Sequence, residues 1–405
     1  MSDINRIMQE AGSLNHDEKV RLARMLLDSA KSDGTTTGST TKSNIQPEKT
    51  VMQTSAVKPF EKDARKDEVS VTKIVPVQKN PDEADEKETF DKKIAEENKK
   101  IMEDQEKDLS EADDDEATRW DKFKSALFYP LPHRLLSSIV YRFMRIKNKS
   151  IKNMQIKMFS KAYHVDLHQA VISNIEDYQD FNSFFTRRLK PNLRPLASGE
   201  RDICSPADGF ISEIGRIEAG KIIQAKGHKY TVSDLLGGNK ASAATFANGS
   251  FVTIYLSPAN YHRVHMPVDG ILKKTIHIPG RLFSVAPFTV KTVPGIFARN
   301  ERVVSIFETP VGLMAHVLVG AMFVSSIETV WAGTITPPYA KEVSEFNYAP
   351  PVTVPSLKKG EEMGRFNMGS TVILLFPENS VEFSEALLPG IAVKMGEKIG
   401  EVFAV

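Results

Sequence analysis

Beyond residue 182 the chain alternates short apolar runs with breaks rich in Pro, Gly and Asn. The runs at 251–256, 303–307, 313–319 and 371–376 are five to seven residues long and dominated by Val, Ile, Leu and Phe. Runs of that length between turn formers predict β-strands. From 119 to 161 the period changes. Trp120, Phe123, Leu127, Leu131, Leu135, Ile139, Phe143 and Ile146 recur every three or four positions among Lys and Arg, which predicts amphipathic helices. Residues 1–31 carry Ile4, Ile7, Met8, Val20, Leu22, Ala23, Leu26 and Leu27 at helical spacing, enough for two short helices and too little for a core. The Gly/Thr/Ser/Lys tract at 34–44 then runs into a Pro/Lys/Glu segment with few large apolar residues, the composition of a disordered tether. The expected class is α+β. A disordered extension over 1–117 precedes a helical N-terminal lobe (118–161), itself followed by a β-rich body reaching 405.

Composition changes this picture only locally. Of 405 residues 41% are hydrophobic and 26% charged, with a net charge of +1, the profile of an ordinary globular chain. Collagen, coiled-coil rods and disulfide scaffolds are excluded. The balance nevertheless hides an asymmetry: residues 81–116 carry 17 acidic and 6 basic side chains, whereas 119–161 carry 11 basic side chains and one acid, Asp121. The acidic tract reads as a solvated linker. A basic amphipathic segment suits a helix lying in an anionic lipid interface, where apolar burial and roughly 1 kcal/mol per nearby cation add together. Packing against its own domain and a nucleic-acid patch are the competing readings, and nucleic acid is the weaker of these.

No segment reaches the roughly 18 apolar residues of a membrane span, since the best candidate, 313–324, is short and contains His316. The N-terminal MSDINRIMQEAG has no basic region followed by an apolar stretch, so it does not read as a secretory signal. The single cysteine, Cys204, cannot form an internal disulfide and suits a reducing compartment. The expected location is the cytoplasmic face of the cell membrane, as a peripheral protein.

Three places could carry chemistry. YLSPANYHRVHMP (255–267) sets His262 and His265 three apart between prolines, in a loop leaving a strand. Such a pair could ligate a metal, but no third ligand stands at a recognisable spacing, and general acid/base work or a structural role fits as well. SPADG (205–209) holds Asp208 in a turn; alone it is a turn signal, with a histidine-orienting carboxylate as the alternative. FNMGSTVILLF (366–376) places Gly369, Ser370 and Thr371 before a strand. Alone this is a polar turn, although a serine hydroxyl following glycine can attack the uncrowded glycine carbonyl if a base removes its proton.

Taken in order, SPADG, YHRVHMP and the Gly-Ser-Thr turn resemble the bacterial phosphatidylserine decarboxylase proenzymes. The resemblance extends through KIIQAKGH (221–228), FARNERV (297–303) and the long VGAMFVSSIETVWAGTITPP (319–338), and covers about 118–405. It implies a self-cleaving enzyme that converts phosphatidylserine to phosphatidylethanolamine and CO2. By that analogy Asp208 orients His265, His265 deprotonates Ser370, and Ser370 attacks Gly369. Cleavage between Gly369 and Ser370 would leave a β chain and a 36-residue α chain, 370–405, whose first residue becomes a covalent pyruvoyl group. That group is the electron sink a decarboxylation requires, so neither metal nor pyridoxal phosphate is expected. His262 is expected near the pyruvoyl group or the substrate. The implied partners are phosphatidylserine, an anionic membrane surface and the α/β pair itself, with further pairing of such units left open. Met368 stands where the family usually has leucine, a nearly volume-conserving change.

Two other readings stand beside this one. A serine hydrolase acting on lipid esters could use the same three residues, but no GxSxG elbow is present and Ser370 precedes a strand instead of a helix. An uncleaved, non-enzymatic membrane module is suggested by PGIAVKMGEKIGEVF (389–403), which is similar to the hairpins of biotinyl carriers.

Overall fold

A computed structural model describes residues 117–403 apart from 130, 226–227, 323–325 and 337–340. The helices expected in 1–31 and the disordered acidic linker lie outside the described residues. Within them the protein is a mixed helix and sheet structure, as the apolar pattern predicts.

The body is organised by an antiparallel sheet that runs, in spatial order, Ser344–Asn347, Gly270–Ile278, Arg302–Thr309, Gly312–Val319, Ser370–Phe376, Ser250–Leu256, Gly209–Arg216 and Ala392–Val393, with Ser356–Leu357 also paired to Gly270–Ile278. Each apolar run of the sequence lies inside one of these strands. Ser370–Phe376 is central and all seven of its residues are buried, which is why its sequence shows no polar alternation after Thr371. It pairs with Ser250–Leu256 on one side and Gly312–Val319 on the other. A smaller sheet orders Gly333–Thr336, Ile327–Thr329, Glu362–Phe366 and Arg263–His265, and a third joins Asp202–Cys204, Lys398–Val402 and Val381–Phe383. The apolar residues of these sheets form one continuous core.

Three helices precede the body: α1 (Arg119–Phe128), α2 (His133–Phe143) and α3 (Lys149–Tyr163). Thr118 and Asp121 close a capping box on α1, so the one acid of this basic stretch serves to start the helix. Helix α1 is tied to the body through Ser125 and Thr292, whose hydroxyls lie 2.5 Å apart. On α2 the buried His133 and Ser137 share one face, while Leu135, Ile139 and Phe143, four residues apart and each about half exposed, form a stripe on another. Not every cation of the stretch faces outward. Lys152 is buried and its ammonium donates to the carbonyls of Ile175, Glu176 and Tyr178 at 3.1, 2.8 and 2.7 Å, and Lys149 pairs with Glu176 at 2.7 Å. Helix α3 and the short α4 (Phe181–Phe185) enclose a second core of Met144, Ile156, Tyr178, Phe181, Phe184 and Phe185. This aromatic cluster borders the candidate site.

Candidate active site

The strand Ser370–Phe376 begins at the residue of interest, directly after the sharpest backbone feature of the body. Met368 has φ +105°, a region L side chains rarely adopt, so the residue preceding Gly369 is strained. Ahead of it Asn367 is buried, and its amide donates to the Ser326 hydroxyl and, at 2.8 Å, to Glu328. The Ser370 Oγ is fully buried and has no hydrogen-bond partner. A buried hydroxyl without a partner costs about 1–3 kcal/mol, and such groups in native structures call for an explanation.

His262 stands beside this turn. Its Nε2 lies 3.8 Å from where a Cβ on Gly369 would be, ordinary contact distance, so the ring borders the Gly369 backbone directly. The ring packs against Phe185, tilted by 40° with centroids 4.1 Å apart. Its Nδ1 lies 2.8 Å from the Asn260 carbonyl and so carries the proton it donates there, which leaves Nε2 as a bare acceptor without a partner. Burial, reinforced by the nearby Arg187 cation and opposed by the Asn260 hydrogen bond, pushes its pKa down to about 3. His262 is therefore neutral at physiological pH.

His265 ends the short strand Arg263–His265 and is also buried. Its Nδ1 donates to the Gly360 carbonyl at 2.8 Å, so its Nε2 accepts from the Tyr261 hydroxyl at 3.0 Å. Burial lowers its pKa, while the Gly360 hydrogen bond and the charges of Glu362 and, more weakly, Asp208 raise it. The loop carrying Asp208 runs against this strand, with the His265 amide donating to the Pro206 carbonyl at 2.8 Å. The Asp208 carboxylate itself is taken up elsewhere. Arg194 donates to it from Nε at 2.9 and 3.2 Å and from Nη2 at 2.6 Å, and the Met395 amide donates at 2.9 Å.

The structure thus gathers Ser370, Gly369 and His262 at one turn, and places His265 two residues past Arg263 on the same strand, with Asp208 on the adjoining loop. No hydrogen bond joins Asp208 to His265, or His265 to Ser370, among the described residues. The Asp208 carboxylate is bonded to Arg194 and the Met395 amide, and His265 Nε2 to the Tyr261 hydroxyl. Arg194 was absent from the sequence reading: it sits in NLRPLASG with no spacing that ties it to SPADG, and only the fold brings the two together. Among the described residues no group of three or more His, Cys, Asp or Glu is placed to hold a metal. Cys204 is buried and burial raises its pKa, which makes it a poor nucleophile.

The sequence is similar to known proteins over most of the described residues. The family model of phosphatidylserine decarboxylase matches residues 181–401, and a second model, PSD, matches 123–164. The chain is 51% identical to the phosphatidylserine decarboxylase proenzyme of Shewanella frigidimarina over 281 residues, 68% of this chain and 97% of that protein. It is 55% identical to the protein of the same name from Alkalilimnicola ehrlichii over 263 residues, 65% and 91% of the two chains, and 50% identical to that of Azotobacter vinelandii over 275 residues, 67% and 95%. With this extent of matching, the chain belongs to the phosphatidylserine decarboxylase family.

Proposed function

We propose that the protein is a proenzyme that cuts itself between Gly369 and Ser370, and that the resulting two-chain enzyme decarboxylates phosphatidylserine to phosphatidylethanolamine. The single observation that carries the self-cleavage reading is the buried, unpartnered Ser370 Oγ placed directly after Gly369. In this reading Ser370 Oγ gives up its proton and attacks the Gly369 carbonyl carbon; the C–N bond breaks and an ester links the two residues. Loss of the Ser370 Cα proton expels the Gly369 carboxylate, and water then replaces the amine of the resulting dehydroalanine, releasing ammonia. These residues suit a pyruvoyl group at position 370, which supplies a carbonyl able to accept the electron pair left when CO2 departs.

His265 is the base that the family resemblance assigns. Its Nε2 must exchange the Tyr261 hydroxyl for that of Ser370 before it takes the proton, and the Asp208 charge favours the imidazolium that results. In the mature enzyme the same nitrogen returns a proton to the substrate carbon that has lost CO2. A second reading is favoured by one specific observation: the bare Nε2 of His262 already faces Gly369, whereas both nitrogens of His265 are engaged. In that reading His262 starts the cleavage. Neutral, buried and free of a partner at Nε2, it has no hydrogen bond to give up there, and only has to close on the Ser370 hydroxyl, to which it is not yet bonded.

The exposed stripe Leu135, Ile139 and Phe143, with Trp120 and Phe123 on α1 and with Arg134 and Arg142 on α2, supports peripheral attachment to an anionic leaflet on the cytoplasmic face. No helix among the described residues is long and apolar enough to cross a membrane.

Intact-mass measurement of the purified protein beside Ser370→Ala tests the central claim. Two fragments, the smaller spanning 370–405 with the mass of a pyruvoyl end, and one intact chain for the variant are expected. A single full-length mass for both would leave the lipid hydrolase and the inactive module in its place. The same measurement on His262→Ala and His265→Ala decides which imidazole is the base.

A further inference from the structure

Arg187 is a buried cation with no counter-ion. It is 7% exposed, its Nε and Nη1 have no hydrogen-bond partner, and its one side-chain bond is from Nη2 to the Ala259 carbonyl at 3.3 Å. Its guanidinium lies 5.7 Å from the centre of the Phe184 ring. No carboxylate approaches it within 4.0 Å among the described residues, since Asp208 is already held by Arg194 and Glu362 by Arg263. An unpaired buried charge costs several kcal/mol, and chains retain one where something else supplies the partner.

The placement says where that partner enters. Arg187 follows the Phe181–Phe185 helix, whose last ring packs at a tilt against His262. Its segment is held to the 259–263 stretch twice, by the Arg187 bond to the Ala259 carbonyl and by the Arg263 bond to the carbonyl of neighbouring Thr186 at 2.9 Å. Met368, one residue from the scissile bond, packs against the same aromatic cluster. In the cleavage proposed above, Met368 loses its covalent link to the central strand.

We propose that in the cleaved enzyme Arg187 binds the phosphodiester of the lipid headgroup. This rests on the decarboxylase reading above and deepens it by naming the group that anchors the substrate. The substrate carries two anions, and chemistry chooses between them. A cation on the carboxylate would stabilise the ground state against loss of CO2 and so raise the barrier. The phosphodiester keeps its charge through the whole reaction, so pairing with it holds substrate and transition state equally and leaves the carboxylate to leave from apolar surroundings. The guanidinium offers two parallel N–H groups, Nε and one Nη, which is the geometry that matches two phosphate oxygens.

The test uses the two-chain enzyme of wild type, Arg187→Lys and Arg187→Gln, with fragment masses measured first, so that failure of cleavage in the wild type is seen before any statement about Arg187 is made. Inhibition by glycerophosphoethanolamine, which has the phosphodiester and lacks the carboxylate, is compared with KM and kcat for short-chain phosphatidylserine. The expected result is a rise of at least about tenfold in both the inhibition constant and KM for Arg187→Gln, a smaller rise for Arg187→Lys, and kcat within about threefold, the pattern of lost uniform binding. An unchanged inhibition constant with a raised KM would place Arg187 on the carboxylate and overturn the proposal. Slower self-cleavage with both constants unchanged would assign it to the new carboxylate at Gly369. If neither variant yields folded, cleaved enzyme, Arg187 serves the fold and the proposal fails.

Discussion

Arg194 holds Asp208 with two nitrogens, Nη2 at 2.6 Å and Nε at 2.9 Å, and so claims the carboxylate that the family resemblance assigns to His265. Both side chains are largely buried, and the pair leaves Asp208 to act on His265 through its field instead of through a hydrogen bond. In the uncleaved protein Arg194 is what fixes the Asp208 rotamer beside the catalytic strand.

Removing that clamp exposes the cost of the carboxylate it satisfies. Arg194→Met is expected to lower stability by about 3 kcal/mol, the usual consequence of leaving one partner of a buried pair uncompensated. Thermal unfolding of Ser370→Ala and of Ser370→Ala with Arg194→Met measures it without interference from cleavage. A loss below about 1 kcal/mol would mean that Asp208 finds His265 when Arg194 is gone.

Acid should weaken the fold through its buried imidazoles. Burial pushes His262 and His316 down to about 3 and lowers His265, whereas each titrates near 6.5 when unfolded. The unfolded chain then binds more protons than the native one between those values. Stability is fully present above about pH 6.5 and is lost progressively as pH falls toward 3. Denaturant midpoints of Ser370→Ala from pH 8 to 4 check the sign, and replacing His316 with Gln should flatten the acid limb. A curve independent of pH over that range would contradict it.

Strain at Met368 lies one residue from the bond proposed to break. A non-glycine residue at φ +105° stores on the order of 1–3 kcal/mol, and glycine at this position adopts the same angle without penalty. Met368→Gly is expected to slow self-cleavage about tenfold, as followed by fragment formation over time. In the Ser370→Ala background it should raise the thermal midpoint. An unaltered cleavage rate would show that the strain is not released on the way to the ester.

Lipid attachment is expected to follow the apolar stripe of α2 more than any single cation. Leu135→Glu with Ile139→Glu, both on exposed positions, should abolish cosedimentation with vesicles containing phosphatidylglycerol and leave the thermal midpoint nearly unchanged. Reversing Lys149 is a poorer probe because it already pairs with Glu176. Retained cosedimentation of the double variant would return α2 to an ordinary packing role.

What the sequence by itself determined is local. Apolar runs such as TVILLF and SFVTIYL mark strands buried on both faces, and the four-residue recurrence of Leu135, Ile139 and Phe143 marks a helix with one apolar stripe, because side-chain period reports backbone geometry and burial directly. Ser370, His262, His265 and Asp208 carry residue types able to do chemistry, but alone Asp208 and Ser370 read as ordinary turns, and it was the resemblance that ordered the four into one site. Their partners were not legible. Which group Asp208 holds, which nitrogen of His262 is bare, why Met368 has a positive φ and why Arg187 has no counter-ion depend on segments brought together from Tyr178 to Met395 in sequence. Hydrogen bonds and desolvation act at about 3 Å, across contacts that only the folded chain creates, so that part of the chemistry was decided by the tertiary structure alone.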